Sequence, residues 1–500
     1  MAQTEQSTQL LKGPTGTFET LHIKFLLICA TYFGLHILLR TLISPTLDYD
    51  EAEQALLSQW LLPGYTEQPP LYSWIQYLLF HLFGEGVLAI SLLKNSLLFL
   101  TYLFVLLAGR LLFASRFLPI LASAALLLIP QIGWESQRDM THTTLVTCSA
   151  AATLWLLLRL LKNNSPLDYL YLGIGIGVGF MSKANYFAFL ALLLPVFLSF
   201  QKGRKTLGSP RILITLLVAV SMAGPFFLWL LQHQDIALSA SHKLHRPTEN
   251  PLLHGLLSFF KNGLLFLTPF LIISFVSFRK TILARKIENN FAISFFSRYL
   301  FFFILLMCIA IFFFNITYVK DRWLQPILFV VPLFCFARLD GVVLDNNHLK
   351  TFFGFILLAA VTVYTVFTLR VVATDITGSF CRLNYPMQAI AAKIHKSGFK
   401  NGVIVSDNRF LAGNLRLQFP GSAALIPGYQ FETHVTLHGT GLAVWKADQS
   451  AEMPEELTNY LLDNWAIKPN EFPVQVIEQK LLYSTKTSVK LATMVFPIPD

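Results

Sequence analysis

The sequence predicts a mainly α, polytopic membrane protein: a transmembrane helical bundle of about eleven spans, thirteen as the upper count, followed by a small α/β domain outside the membrane. Three observations predict it. Of the 500 residues, 54% are apolar and only 13% charged, and mean hydropathy is +0.56. That is more apolar surface than a soluble chain of this size needs. The apolar residues fall into successive runs of about 20, the length that crosses a hydrocarbon core. After Val371 the runs shrink to strand size and alternate with short amphipathic helices.

Taken in order, the apolar runs lie near 21–43, 86–109, 117–131, 142–158, 167–182, 185–200, 211–231, 255–278, 299–316, 323–338 and 351–371. The first reads as a span rather than a cleaved signal. Some 20 polar residues precede it, it is too long for a signal's apolar region, and no small-residue cleavage pattern follows. Alternate connectors collect the cations: Arg110, Arg116, Arg159, Lys162, Lys202, Arg204, Lys205, Arg211, Arg279, Lys280, Arg285, Lys286 and Arg298 lie on one face. The positive-inside rule makes that face cytoplasmic. The N-terminus is then inside, and the connector 44–84 and everything after Val371 lie outside, on the periplasmic or extracellular side of the inner (plasma) membrane. The net charge of +10 is therefore topogenic and gives no reason to expect a nucleic-acid partner. Cys29, Cys148, Cys308, Cys335 and Cys381 are scattered, mostly within apolar runs, and read as small buried hydrophobes.

This divides the chain into a membrane domain, 1–372, with a structured outer loop at 44–84, and a soluble domain, 373–500. In the latter, Met387, Ile390, Ala391 and Ile394 mark a helix ended near Gly398. Val403–Val405, an amphipathic stretch from Leu411 to Phe419, Ala443–Trp445, a helix over Leu457–Trp465 and strands near 474–483 and 489–497 follow. No catalytic constellation stands out there. Covering the active site or recognising an acceptor is the expected role.

The chemistry-bearing residues gather in the outer connectors. Asp48 to Trp74 holds Asp48, Asp50, Glu51, Glu53 and Glu67 and no Lys or Arg, and is stiffened by Pro69-Pro70. Gln131 to Thr141 adds Glu135, Arg138 and Asp139. Lys183 lies in Ser182–Asn185, and Lys320 and Arg322 in Thr317–Arg322. The connector from Gln232 to His254 carries Lys243, Arg246, His233, His242, His245 and His254. Ionisable groups at membrane depth are costly and usually functional. Carboxylates facing cations suit a reaction in which a base removes a proton while cations stabilise a departing phosphate. A plainer reading stands beside each. Glu51 and Glu53 can be the solvated first turn of a helix, Arg138-Asp139 a local ion pair, Lys183 a snorkelling helix end, and Lys320 and Arg322 interfacial anchors beside Trp323. The histidine spacing fits no zinc signature. Gly173, Gly175, Gly177 and Gly179 read as helix-packing positions, since no phosphate-loop pattern is present.

These residues carry a resemblance. Asp50-Glu51-Ala52, then Glu67-Gln68-Pro69-Pro70-Leu71 with Trp74, then Leu82-Phe83-Gly84, resemble the first outer loop of the GT-C superfamily, in the branch of protein O-mannosyltransferases and the lipid A aminoarabinose transferase. Gly175 to Lys183 resembles its glycine-rich helix ending in Thr/Ser-Lys-Gly, with Ala184 in place of the last glycine, and Lys320 to Pro326 resembles its Lys/Arg-Tyr-Leu-x-Pro element. Gln68 stands where the family often has Lys. The resemblance implies a membrane glycosyltransferase that takes a sugar from a polyprenyl-phosphate donor to a lipid, glycan or protein acceptor at the outer face. It implies Asp50 as general base, with Glu67 and Asp139 as second-rank catalytic groups, and Arg138, Lys183, Lys320 and Arg322 holding phosphate. Glu51 is included among the substrate-binding groups. It allows a divalent metal ion, held by Glu67 with one of the histidines. Asp48 is expected to matter far less than Asp50. A polytopic transporter or flippase is the alternative, but it should carry its charges in broken mid-membrane helices rather than in outer loops. An O-antigen ligase or polymerase is the nearer rival, and a non-enzymatic envelope scaffold leaves the clustered charges unexplained.

Overall fold

The computed structural model describes residues 19–238, 248–284, 290–429, 431, 439–448 and 450–498. Among them, seven helices are long and apolar enough to cross a membrane: Thr20–Ile43, Val87–Leu112, His142–Asn163, Ile212–Gln232, Pro251–Ile282, Phe291–Phe314 and Asn346–Val372. Two further segments are bent pairs. Leu118–Leu128 meets Gln131–Asp139 at 72°, and Tyr186–Leu198 meets Gln201–Leu207 at 114°. Counted by length and composition, the spans number seven, or nine with the bent pairs, against the eleven read from hydropathy. Every expected run is helical, so the difference lies in continuity. The run expected at 167–182 is the helix Pro166–Phe180, 15 residues long, so it reaches only about 22 Å. The run expected at 323–338 is two short helices, Asp321–Leu328 and Val331–Ala337, carrying Pro326 and Pro332. Hydropathy sees apolar length; it does not see where the helix axis turns.

Pro166–Phe180 starts from a capping box in which Ser165 accepts the Asp168 N–H. Its glycines serve packing. A Cβ on Gly173 would meet the Thr215 backbone at 2.9 Å, and one on Gly177 would meet the Met222 side chain at 2.8 Å, both on the neighbouring span Ile212–Gln232.

The C-terminal region is a five-stranded sheet: β1 Val403–Ser406, β2 Ala423–Leu425, β3 Gly439–Lys446, β4 Val474–Lys480 and β5 Ser488–Ile498, in the order β2-β1-β3-β5-β4. β1 runs parallel to β2 and β3, with Val405 opposite Leu425 and Ala443, while β5 is antiparallel to β3 and β4. Val403, Val405, Trp445 and Met494 pack on the helix Glu455–Trp465. The alternate residues Ile404, Leu442, Val444 and Leu491 pack on Met387–Lys396 and Arg409–Gln418. That second core also takes in Leu47, Ala52, Ala55 and Leu56 of the outer loop. The loop and the C-terminal sheet therefore share one apolar core at one end of the bundle. Gly413 sits at their contact: a Cβ there would lie 2.0 Å from the Ala52 carbonyl oxygen. The amphipathic stretch 411–419 is the helix Arg409–Gln418, and β2, only three residues long, carries too little pattern to be read from sequence.

Candidate functional site

The site begins with how the outer loop is held. Its helix, Tyr49–Leu57, is capped by Asp48, whose Oδ1 accepts the Tyr49 N–H at 2.8 Å, while Glu51 Oε2 accepts the Asp48 N–H at 3.1 Å. Glu51 is fully buried. Its Oε2 meets Arg40 Nη2 at 2.5 Å and its Oε1 meets Lys94 Nζ at 2.7 Å. Burial alone would push the Glu51 carboxyl up, but the Arg40 and Lys94 charges overrule it and hold the carboxyl far below the usual range. Arg40 also donates to the Ser44 and Thr46 carbonyls, and Lys94 to that of Gln137. The expectation that Glu51 touches substrate is corrected: both its oxygens are taken and none of it reaches the surface. It ties the loop helix to two spans and to the connector 131–141.

With Glu51 anchored, Asp50 is presented on the adjacent face. Its backbone N–H donates to Asp139 Oδ1 at 2.9 Å, so the first and second outer connectors meet at two carboxylates. Burial, then the neighbouring Glu53 charge, pushes Asp50 above its ordinary range, while Arg322, Arg409 and Lys183 pull it back. Asp139 is raised further, by burial and by repulsion from Asp50, Asp48 and Glu51. A carboxyl raised in this way is better matched to accept a proton at neutral pH than an ordinary Asp. Lys183 donates from Nζ to Thr143 Oγ1 at 2.7 Å, and the Arg322 N–H donates to Asp321 Oδ1 at 2.8 Å.

The structure thus brings Asp50, Asp139, Lys183 and Arg322 into one electrostatic neighbourhood from four connectors. Glu67 lies beside it. It accepts a long hydrogen bond of 3.4 Å from Gln68 Nε2, and it and Lys183 both act on His142, which contacts Gln54 at 3.1 Å. Two expected phosphate ligands are placed differently. Arg138 pairs with Glu135 at 2.6 Å, not with Asp139, and its side chain is 43% exposed. Lys320 sits over the Trp323 ring at 5.6 Å. Neither is among the largest charges acting on Asp50 or Asp139. Among the described residues no group of three or more His, Cys, Asp or Glu is arranged to hold a metal ion. His242, His245, Lys243 and Arg246 lie outside the described residues. His233 stacks on Trp229 with ring centroids 4.4 Å apart.

Sequence reasoning missed the arginines that close the site from the C-terminal side. Arg382 Nη1 lies 3.0 Å from Asp48 Oδ1 and 3.7 Å from Asp139 Oδ2. Arg370 Nη2 lies 3.7 Å from Asp48 Oδ2. Arg409 pairs with Glu53, and Tyr429 Oη donates to the same carboxylate at 2.6 Å. Nothing near these arginines in the chain marks them, because their carboxylate partners lie more than 240 residues away. The one available signal was the loop itself: five carboxylates without a cation need cations from elsewhere.

Comparison with known proteins bears on the family and the fold. Residues 67–229 match the family described as dolichyl-phosphate-mannose-protein mannosyltransferase. The chain is 30% identical over 470 residues to the lipopolysaccharide core galacturonosyltransferase RgtA of Rhizobium johnstonii, covering 90% of this chain and 92% of that one. It is 31% identical over 452 residues to RgtB of the same organism, covering 87% and 90%. The fold matches ArnT from Cupriavidus metallidurans in the apo state, with a TM-score of 0.58 at 14% identity, over 94% of this chain and 97% of that one. It matches the same protein bound to undecaprenyl phosphate with a TM-score of 0.57 at 14% identity, over 94% and 98%. By its sequence the chain belongs to the family of RgtA and RgtB, and it is an integral membrane glycosyltransferase with the GT-C fold.

Proposed function

We propose that the protein transfers galacturonic acid, or a closely related sugar acid, from a polyprenyl-phosphate donor to the core of lipopolysaccharide, at the periplasmic face of the inner membrane. The sugar and acceptor are those of the named relatives. The lipid-linked donor is supported by the family resemblance and by the undecaprenyl phosphate bound to the structural neighbour. The membrane region to residue 372 carries the donor, and residues 373–500 form the periplasmic part.

The observation that carries this reading is that Asp50 lies within the electrostatic reach of Lys183 and Arg322, cations contributed by separate connectors. In the proposed reaction Asp50 takes the proton from the acceptor hydroxyl as its oxygen bonds to the anomeric carbon. The bond from that carbon to the phosphate oxygen breaks, and the polyprenyl phosphate leaves with the bonding pair, held by Lys183 and Arg322. Asp139 accepts the Asp50 N–H and holds the base in place, while burial and Glu53 keep the base's proton affinity high. Glu67 and His142 orient the sugar or acceptor. Glu51 positions the helix that bears Asp50. No step is assigned to a metal ion.

The test is reconstitution of the purified chain with polyprenyl-phosphate galacturonic acid and a lipopolysaccharide core acceptor, read by mass spectrometry. Transfer of one hexuronic acid residue, and loss of that mass from the core in a deletion strain, are expected. A deletion strain whose core is unchanged while another envelope glycan loses a sugar overturns the acceptor assignment.

A further inference from the structure

Asp48 is buried beneath the site, and two guanidinium groups converge on its single carboxylate: Arg382 at 3.0 Å and Arg370 at 3.7 Å. The two cations share that buried carboxylate, and Arg382 Nη1 reaches on from it to within 3.7 Å of Asp139 Oδ2, beside Asp50.

Of the two, Arg382 reaches further into the open site. Its side chain is 50% exposed, whereas that of Asp48 below it is 1% exposed. Only Nη1 is committed; Nε and Nη2 make no hydrogen bond among the described residues. The guanidinium lies over the Tyr49 ring, 4.7 Å from its centroid, so Asp48 and Tyr49 fix it from two directions. The turn that carries it, Arg382–Asn384, is pinned as well. Asn384 accepts the Cys381 N–H at 2.8 Å and donates to the Val371 carbonyl at 2.7 Å. Ser44 of the outer loop donates to the Leu383 carbonyl at 2.6 Å. A rigid guanidinium with one anchored nitrogen and two open donors is suited to grip a planar anion bidentately. Arg409, over the same ring at 4.1 Å, is committed through Nη1 to Glu53 and Tyr429.

In the proposed function the donor phosphate is held by Lys183 and Arg322, which come from the membrane region; Arg382 arrives from the C-terminal side. We propose that Arg382, held by Asp48 and Tyr49 beside Asp50 and Asp139, is a specificity residue that binds a sugar-acid carboxylate of the substrate. This rests on the reading that the enzyme handles uronic sugars. The carboxylate belongs either to the sugar being transferred or to an acidic sugar of the acceptor.

The experiment uses the full chain in detergent and compares wild type with Arg382→Ala and Arg382→Lys. Donors are polyprenyl-phosphate galacturonic acid and polyprenyl-phosphate galactose; acceptors are a core oligosaccharide and its carboxyl-reduced form. Arg382→Ala should lower the kcat/KM preference for a carboxylate-bearing substrate about tenfold to hundredfold, through KM. Arg382→Lys keeps the charge, loses the fork and should recover only part. Loss of preference between the two donors identifies the transferred sugar; loss of preference between the two acceptors identifies the acceptor. Variants with unchanged preferences, or with equal losses on every pair, overturn the proposal. A wild-type enzyme inactive with all four pairs overturns the proposed function as well, which separates the two failures.

Discussion

Asp50 and Asp139 make the sharpest predictions at the residue scale. Asp50→Asn keeps shape but removes the base, so turnover should fall by about 10²–10⁴ with donor binding little changed. A purified variant with near wild-type turnover would move the role to Asp139 or Glu67. The pH profile gives a second reading. Both carboxyls are raised from an ordinary 3.8, so the active, ionised base should be lost on acidification at a higher pH than an ordinary Asp would allow. Glu53→Gln removes the repelling charge that acts on Asp50, so the acid limb of kcat/KM should move to lower pH. The stability sign is the reverse of the usual carboxylate case. A raised group favours the folded state below its unfolded value, and that contribution is lost as pH rises through the raised one. Sequence reasoning named these two residues because a cation-free loop and the charged connector Gln131 to Thr141 are visible in one dimension. It undervalued Asp48, which is a helix cap, is buried, and holds two arginines. Asp48→Asn is therefore no mild control. Its effect should appear as lost thermal stability, where that of Asp50→Asn appears in rate.

The element that matters most is the helix Tyr49–Leu57, clamped between the spans below and the helix Arg409–Gln418 above. The upper contact depends on Gly413, where an added Cβ would lie 2.0 Å from the Ala52 carbonyl oxygen. That obstacle is backbone and cannot rotate away. Gly413→Ala should cost about 1–3 kcal/mol by overpacking, and it should lower turnover because Asp50 rides on the displaced helix. Thermal unfolding in detergent, with turnover measured alongside, tests this against Gly354→Ala, where the space is open. An unchanged midpoint for Gly413→Ala would mean the two helices are not in contact. This was not legible in the sequence. Leu411 to Phe419 shows its amphipathic period, but a residue whose importance is the absence of a side chain against a partner more than 350 positions away leaves no local pattern.

At the scale of the whole molecule, hydropathy gave the architecture well, because burial in lipid acts on composition and length, both local quantities. The number of spans was less legible, since Pro130, Pro326 and Pro332 fall where apolar runs stay continuous while the helix axis breaks. One global constraint follows from packing. The end of the first span, through Ser44 and Thr46, is hydrogen-bonded to the Leu383 and Tyr385 carbonyls just beyond the last span. Residues 44–84 and 373–498 must therefore share a side of the membrane, so an even number of crossings separates them whatever the status of the bent pairs. The cation rule, which puts the N-terminus inside, predicts that both lie outside. A cysteine at exposed Ser450, in a background with the five native cysteines replaced, should react with a membrane-impermeant maleimide in cells whose outer membrane has been permeabilised. A cysteine at exposed Gly84 should react under the same conditions. Labelling of both only after the inner membrane is opened would invert the topology and put the carboxylates and the Arg382 cluster on the cytoplasmic side. Labelling of one without the other would break the shared core itself.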